Sequence, residues 1–203
     1  KLPIKILIFR MNDYLREYLY APVSYDQASP EVREIYDDTK RTLQLPFVLN
    51  WFKYQGGNVN LLKANWEKLK RTLMDGEVPN VLKQLIIYNV SQERGCSYCA
   101  HAHGVFANSM SDSISGDIDF KLTENMDSNL IPNSYKVAIK VVTKAALRPE
   151  EIDEGDFVAM REAGFNDQEI KELFAQADLV NMLNTIAYVT NVKIDNELME
   201  AQF

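Results

Sequence analysis

The apolar positions recur at helical spacing along most of the chain. Ser29-Pro30-Glu31 predicts a helix start, because serine caps well and proline suits the first helical position. Val32, Ile35, Tyr36, Thr39 and Leu43 then share one face. Pro46 restarts the chain, and Phe47, Val48, Trp51, Phe52 and Tyr54 predict a short aromatic helix closed by Gly56-Gly57. A third helix opens at Asn58 or Asn60, carries Leu61, Leu62, Trp66, Leu69 and Leu73, and stops near Asp75-Gly76. A fourth starts at Pro79 and runs through Leu82, Leu85, Ile86 and Val90 to about Arg94, with Gly95 as terminator. A fifth runs from Cys96 to about Met110. Residues 111–132 are rich in Ser, Asp and Asn and predict a flexible linker or lid with one turn around Thr123–Met126. Asn133 opens the next helix, stopped by Pro149, and a charged helix spans Pro149 to Ala163 before Gly164. Asn166-Asp-Gln-Glu169 matches a capping box and begins a long helix with Ile170, Leu173, Ala177, Val180, Leu183 and Ile186. The helices after Pro79 and after Asn166 could be related repeats, at low identity. Strand signals are confined to Ile4, Ile6 and Ile8, which read as a short strand or extended arm. The expected architecture is an all-α bundle over 29–203, preceded by an N-terminal arm over 1–28 that could pack on a neighbouring subunit.

Composition narrows the function classes. The chain has 203 residues, 46% of them hydrophobic, enough for one sizeable core. A net charge of −7, from 22 basic and 29 acidic residues, argues against a nucleic-acid binder and against a polybasic membrane surface. No run of about eighteen apolar residues predicts a transmembrane helix. Two cysteines do not make a disulfide framework, so redox or metal chemistry in a reducing, cytoplasmic compartment is expected.

Both cysteines and both histidines of the chain fall in Cys96-Ser-Tyr-Cys99-Ala-His101-Ala-His103. On a helix, Cys96 and His103 lie about 60° and 40° to either side of Cys99, so the three share a face. His101 turns about 200° away from Cys99 and is expected to be structural. A helix N-terminus favours a thiolate, a neighbouring thiol can resolve an intermediate, and an imidazole one turn on can take a thiol proton. Tyr98, between the cysteines, could gate access or donate a hydrogen bond. Trp51 belongs either to the core or to a pocket wall. A c-type haem site is excluded because Ala100 stands where its histidine belongs. A zinc site would need a ligand pair from a second segment, and none exists, leaving only a distant carboxylate as fourth ligand. A cysteine-protease arrangement lacks a separate His-containing segment.

The spacing of Cys96, Cys99 and His103, the flanking LIIYNVSQERGCSYCAHAH and the tail GDFVAMREAGFNDQEIKELFAQADLVNMLNTIAYVTNV resemble the AhpD-like (alkylhydroperoxidase) branch of the carboxymuconolactone decarboxylase-like superfamily. The resemblance covers roughly residues 30–195. That branch carries a relay glutamate twelve positions before the first cysteine, and here the position is Gln84. A carboxamide cannot take up a proton, but it can hold an imidazole or a water. Tyr88 and Ser91 share the Gln84 face of a helix, while Glu93 lies about 180° away.

The resemblance implies a thiol-dependent peroxidase or disulfide reductase in antioxidant defence. Cys99 would attack a peroxide or disulfide substrate, Cys96 would resolve, His103 would act as base and Gln84 would position it. It also implies no organic cofactor or metal, regeneration by a redox partner protein or small dithiol, and a homo-oligomer, trimer or hexamer. The opposite order, with a more exposed Cys96 attacking first, stays open. Competing readings are a lactone decarboxylase, which leaves the cysteines unexplained, and a redox sensor that oxidises without turnover.

Overall fold

The computed structural model describes residues 14–200. The Ile4–Ile8 arm lies outside them. A helical turn over residues 14–19 is followed by α1 (Pro30–Leu43), α2 (Asn50–Lys53) and α3 (Val59–Leu69), which runs on as a π-helical turn over Lys70–Met74. Then come α4 (Asn80–Glu93), α5 (Ser97–Asn108), the short α6 (Asp112–Ser115), α7 (Asn133–Leu147), α8 (Glu154–Glu162), α9 (Asp167–Thr190) and α10 (Asn196–Glu200). Among the described residues there is no strand.

The caps behave as local chemistry dictates. Ser29 accepts from Val32 N–H, Asn58 from Leu61 N–H, and Asn166 with Glu169 closes a reciprocal capping box. Two boundaries differ from the sequence reading. Pro149 opens only a 3-10 turn, and Asp153 starts α8 with its own capping box to Asp156. The aromatic helix shrinks to Asn50–Lys53.

The expected lid is a packed loop. Leu122 and Ile131 are buried, Ser111 Oγ donates to the carbonyls of Asp117 and Ile118, and Asn108 pairs with Thr123. These anchors are invisible to composition, which registers only the polar residues between them.

The central layer is α4, which packs extensively on α5 and also against α7 and α9. Leu82, Leu85, Ile86, Ile87 and Val90 are fully buried, so α4 is apolar on nearly every side, as a core helix must be. Its start is fixed by an unusual buried cation. Lys83 Nζ donates to Asp75 O (2.6 Å) and Thr72 O (3.3 Å), where the π turn leaves carbonyls free. Glu172 of α9 accepts from the backbone N–H groups of Glu77 and Val78 and lies 3.7 Å from Lys83. The loop before α4 is thus tied to α9, and the register of α4 follows.

Candidate active site

Two helices meet at the cysteines. Helix α4 ends in a Schellman arrangement: Gly95 adopts φ +72°, its N–H donates to Gln92 O, and Cys96 N–H donates to Ser91 O at 2.8 Å. Only glycine takes that left-handed position at low cost, and Tyr188 Oη is already near the space a Cβ would fill. The turn sets Cys96 as the N-cap of α5. Cys99, Ala102 and His103 follow on the inward face, and both cysteines are free, buried thiols.

The thiols are electrostatically unlike. Cys96 is drawn down to about 7, first by the Cys99 S–H that donates to it, then by the Cys99 backbone N–H and the Arg94 charge, against the opposing effect of burial. Cys99 is pushed well above the ordinary thiol range by its hydrogen bond to Cys96, by burial and by the Cys96 charge, while the Asn184 side chain favours its thiolate. The resting pair therefore carries its negative charge on Cys96.

His103 Nδ1 stands 2.6 Å from Gln84 Oε1, and Gln84 Nε2 donates to Asn80 Oδ1 at 3.0 Å. With its nitrogen turned to Asn80, Gln84 offers His103 an oxygen, which can only accept. His103 therefore carries its proton on Nδ1 and leaves a lone pair on Nε2. Burial lowers its pKa to about 3, so the ring is neutral at physiological pH.

Cys99, His103, Gln84 and Asn80 form the polar end of a cavity of about 300 Å³. Apart from Thr42, Gln44 and Tyr98 the rest is apolar, with walls including Trp51, Phe52, Leu69, Met74 and Phe106. Among the described residues no Lys, Arg, Asp or Glu lines it. Trp51 is thus both core and wall, with Nε1 donating to Leu183 O. Tyr98 lines the same cavity, but its hydroxyl is committed: it donates to Asp195 Oδ2 (2.8 Å) and accepts from Trp51 N–H (3.2 Å).

Several expected positions fall elsewhere. Tyr88 packs its ring on Gly104, accepts from Gln92 Nε2 and does not reach the cavity. Ser91 does not join Gln84; its Oγ accepts from Asn184 Nδ2 at 2.9 Å. Glu93 faces a different groove beside α7. His101 turns outward and its Nε2 lies 3.2 Å from Leu198 O. Cys96 does not line the cavity, and both cysteines are buried, Cys96 at 3% and Cys99 at 2% exposure. Asn80, Asn184 and Asp195 were not anticipated. Asn80 had a signal, since it stands one turn before Gln84 on the same helix face. Asn184 and Asp195 had none, because they arrive from segments distant in sequence. Among the described residues no cluster of three or more His, Cys, Asp or Glu is placed to hold a metal ion.

The arrangement belongs to a known fold. The chain superposes on an uncharacterized peroxidase-related protein from Silicibacter sp. TM1040 with a TM-score of 0.73 and 24% identity, covering 85% of this chain and 91% of that one. An AhpD-core, peroxidase-related protein from Ralstonia eutropha JMP134 gives a TM-score of 0.75 at 21% identity, over 87% and 92% of the two chains. The debrominase Bmp8, solved with 2,3,4-tribromopyrrole, gives 0.68 at 17% identity, over 84% and 88%. The fold is therefore the all-α AhpD-like fold. No family model and no curated protein matches the sequence. No helix among the described residues is long and apolar enough to cross a membrane.

Proposed function

We propose that this protein is a thiol-dependent peroxidase or disulfide reductase acting on uncharged, apolar substrates. The observation that carries the reading is the convergence of Cys99, a neutral His103 and a fixed Gln84 on one largely apolar cavity. Cys99 is the sulfur a substrate meets, and Cys96 stands behind it as a thiolate ready to resolve.

With an organic hydroperoxide, His103 Nε2 takes the Cys99 proton as the sulfur attacks the terminal peroxide oxygen. The S–O bond forms, the O–O bond breaks, and the alkoxide leaves with that proton as an alcohol. The Cys96 thiolate then attacks the Cys99 sulfenic sulfur; the S–S bond forms and hydroxide leaves, protonated to water. An external dithiol, small or carried by a redox partner protein, returns both thiols. No organic cofactor or metal is needed for these steps. The dithiol cycle suits a reducing compartment such as the cytoplasm.

An imidazole held near 3 takes a proton only while the new bond forms, so turnover is expected to be slower than with a relay carboxylate. A lactone decarboxylase reading gains no support, because among the described residues the cavity offers no cation to a carboxylate-bearing lactone. We further propose a homo-oligomer, since Tyr14, Leu15, Tyr18 and Leu19 form an exposed apolar stripe on the first helical turn. A Leu15→Glu/Leu19→Glu variant of lower mass in light scattering would support it, and an unchanged monomer in the parent protein would refute it.

The test of the activity is consumption of cumene hydroperoxide with a dithiol reductant. Turnover is expected for the parent protein and loss of at least about a hundredfold for Cys99→Ser. Unimpaired turnover in Cys99→Ser sinks the assignment. Bromide release from tribromopyrrole without peroxide turnover would move it to dehalogenation.

A further inference from the structure

The cavity wall carries two oxidisable side chains that the steps above do not use. Cys99, His103, Phe106 and Met110 all line it, and their spacing of four, three and four residues makes one stripe along α5 and the turn after it. Met110 therefore stands about three helical turns from Cys99. Met74 ends the π-helical turn and lines the same cavity from another segment. Exposure is graded among the lining residues. Cys99, Phe52 and Leu73 are buried, Met74, Phe106 and Met110 are half-buried, and Gln44 is exposed. The two thioethers thus stand on the solvent-facing part of the cavity, and Cys99 on its deep part.

We propose that Met74 and Met110 are modification sites, oxidised by an organic hydroperoxide on its way to Cys99, and that their sulfoxides shut apolar substrates out of the cavity. The proposal rests on the thiol-peroxidase reading and adds the way in which that activity limits itself. The thioether sulfur attacks the terminal peroxide oxygen. The S–O bond forms, the O–O bond breaks, and the hydroxyl proton passes to the departing alkoxide, leaving a sulfoxide and an alcohol. The hydroperoxide is the oxidant, and no other reactant is needed. Two features favour the step. Apolar walls concentrate a hydroperoxide that has an apolar body. A thioether has no proton to lose, whereas Cys99 must give one up. The product changes the site, because a flexible apolar side chain becomes a polar one beside Phe106 and Leu73. Enzymatic sulfoxide reduction, with one reductase for each epimer, restores the apolar entrance.

The test treats the parent protein and Cys99→Ser with cumene hydroperoxide or hydrogen peroxide and locates sulfoxides by peptide mass spectrometry. Met199, 58% exposed, and Met160, fully buried, are the references. With cumene hydroperoxide, Met74 and Met110 should oxidise at least about fivefold faster than Met199 although they are less exposed. With hydrogen peroxide, which has no apolar body, Met199 should oxidise first and Met160 last. An order that follows exposure with both oxidants overturns the proposal. Closure of the cavity is read by the binding of cumyl alcohol, which oxidises nothing, to Cys99→Ser in ligand-detected NMR. Oxidation should weaken that binding about tenfold. Adding Met74→Leu and Met110→Leu, close in volume, should leave the affinity unchanged by the same treatment. An equal loss in that variant, or no loss in oxidised Cys99→Ser, overturns the proposal. If the combined variant loses helix content in circular dichroism, each leucine substitution alone carries the comparison. Preferential sulfoxides at Met74 and Met110 in a protein that turns over no peroxide keep the two sites and remove the peroxidase reading. Peroxide turnover with both thioethers intact does the reverse.

Discussion

Burying a histidine in its neutral form makes the stability of the fold depend on pH through that ring. The folded pKa of His103 is about 3, against 6.5 for the free side chain. As pH falls below about 6.5 the unfolded chain takes up a proton that the folded chain refuses. The stability this group contributes is therefore complete above 6.5 and is lost between 6.5 and about 3, with a slope of roughly 1.4 kcal/mol per pH unit. Urea midpoints measured from pH 7 to pH 4 should show that slope, and His103→Leu should flatten it by about one proton. Equal slopes in the two proteins would mean that the ring is solvated. Gln84 makes a second prediction at this scale. Gln84→Glu places a carboxylate against the Nδ1–H, so the imidazolium gains a partner and the His103 pKa should rise. Peroxide turnover should increase about tenfold or more with it, since a stronger base is better matched to neutral pH. NMR titration of the ring together with initial rates checks both; a raised pKa with unchanged rate would show that His103 is not the base.

At the scale of elements, the glycine between α4 and α5 decides where the cysteines point. Gly95→Ala forces an L side chain to φ +72° and should cost about 1 kcal/mol in thermal stability. Because the same turn seats Cys96 at the N-cap, the Cys96 thiolate should also be less favoured, visible as slower alkylation at pH 7. A stability loss with unaltered alkylation would separate the turn from the chemistry. This turn was legible in the sequence, as were the starts of α1, α3 and α9, because each depends on one capping side chain or one glycine acting on its nearest neighbours. The pairing of Cys99 and His103 one helical turn apart was legible for the same reason, while Cys96 sits at the N-cap and does not line their cavity. The packed 111–132 loop was not, since Leu122 and Ile131 are two apolar residues in a polar segment and only the tertiary structure says that they are buried. Ser91 was placed on the correct helix but with the wrong partner. Its neighbour Asn184 comes 93 positions later, and periodicity carries no information about which distant helix fills a gap.

For the molecule as a whole, the C-terminal segment closes the site by fastening on residues that do no chemistry. Asp195 is fully buried and accepts from Asn50 N–H at 2.6 Å and from Tyr98 Oη at 2.8 Å, while Leu198 O meets His101. The residues between and beside the cysteines thus hold the segment that carries Asp195 and Leu198, and through Asn50 and Trp51 they hold one cavity wall. Burial raises the Asp195 pKa, and the Tyr98 and Asn50 hydrogen bonds counter part of that rise. A carboxyl whose pKa is raised in the fold favours folding below its unfolded value, and that contribution is lost as pH rises through the folded pKa. At neutral pH the ionised carboxylate depends on its two donors. Tyr98→Phe removes one of them and should cost about 1–3 kcal/mol at pH 7, the penalty of a buried charge left short of a partner. At a pH low enough to protonate Asp195, the same substitution should cost less. Chemical denaturation at the two pH values measures the difference. A Tyr98→Phe penalty that does not depend on pH would mean that the hydroxyl serves Trp51 rather than Asp195. A pH-dependent one would show that closure of the cavity rests on this carboxylate.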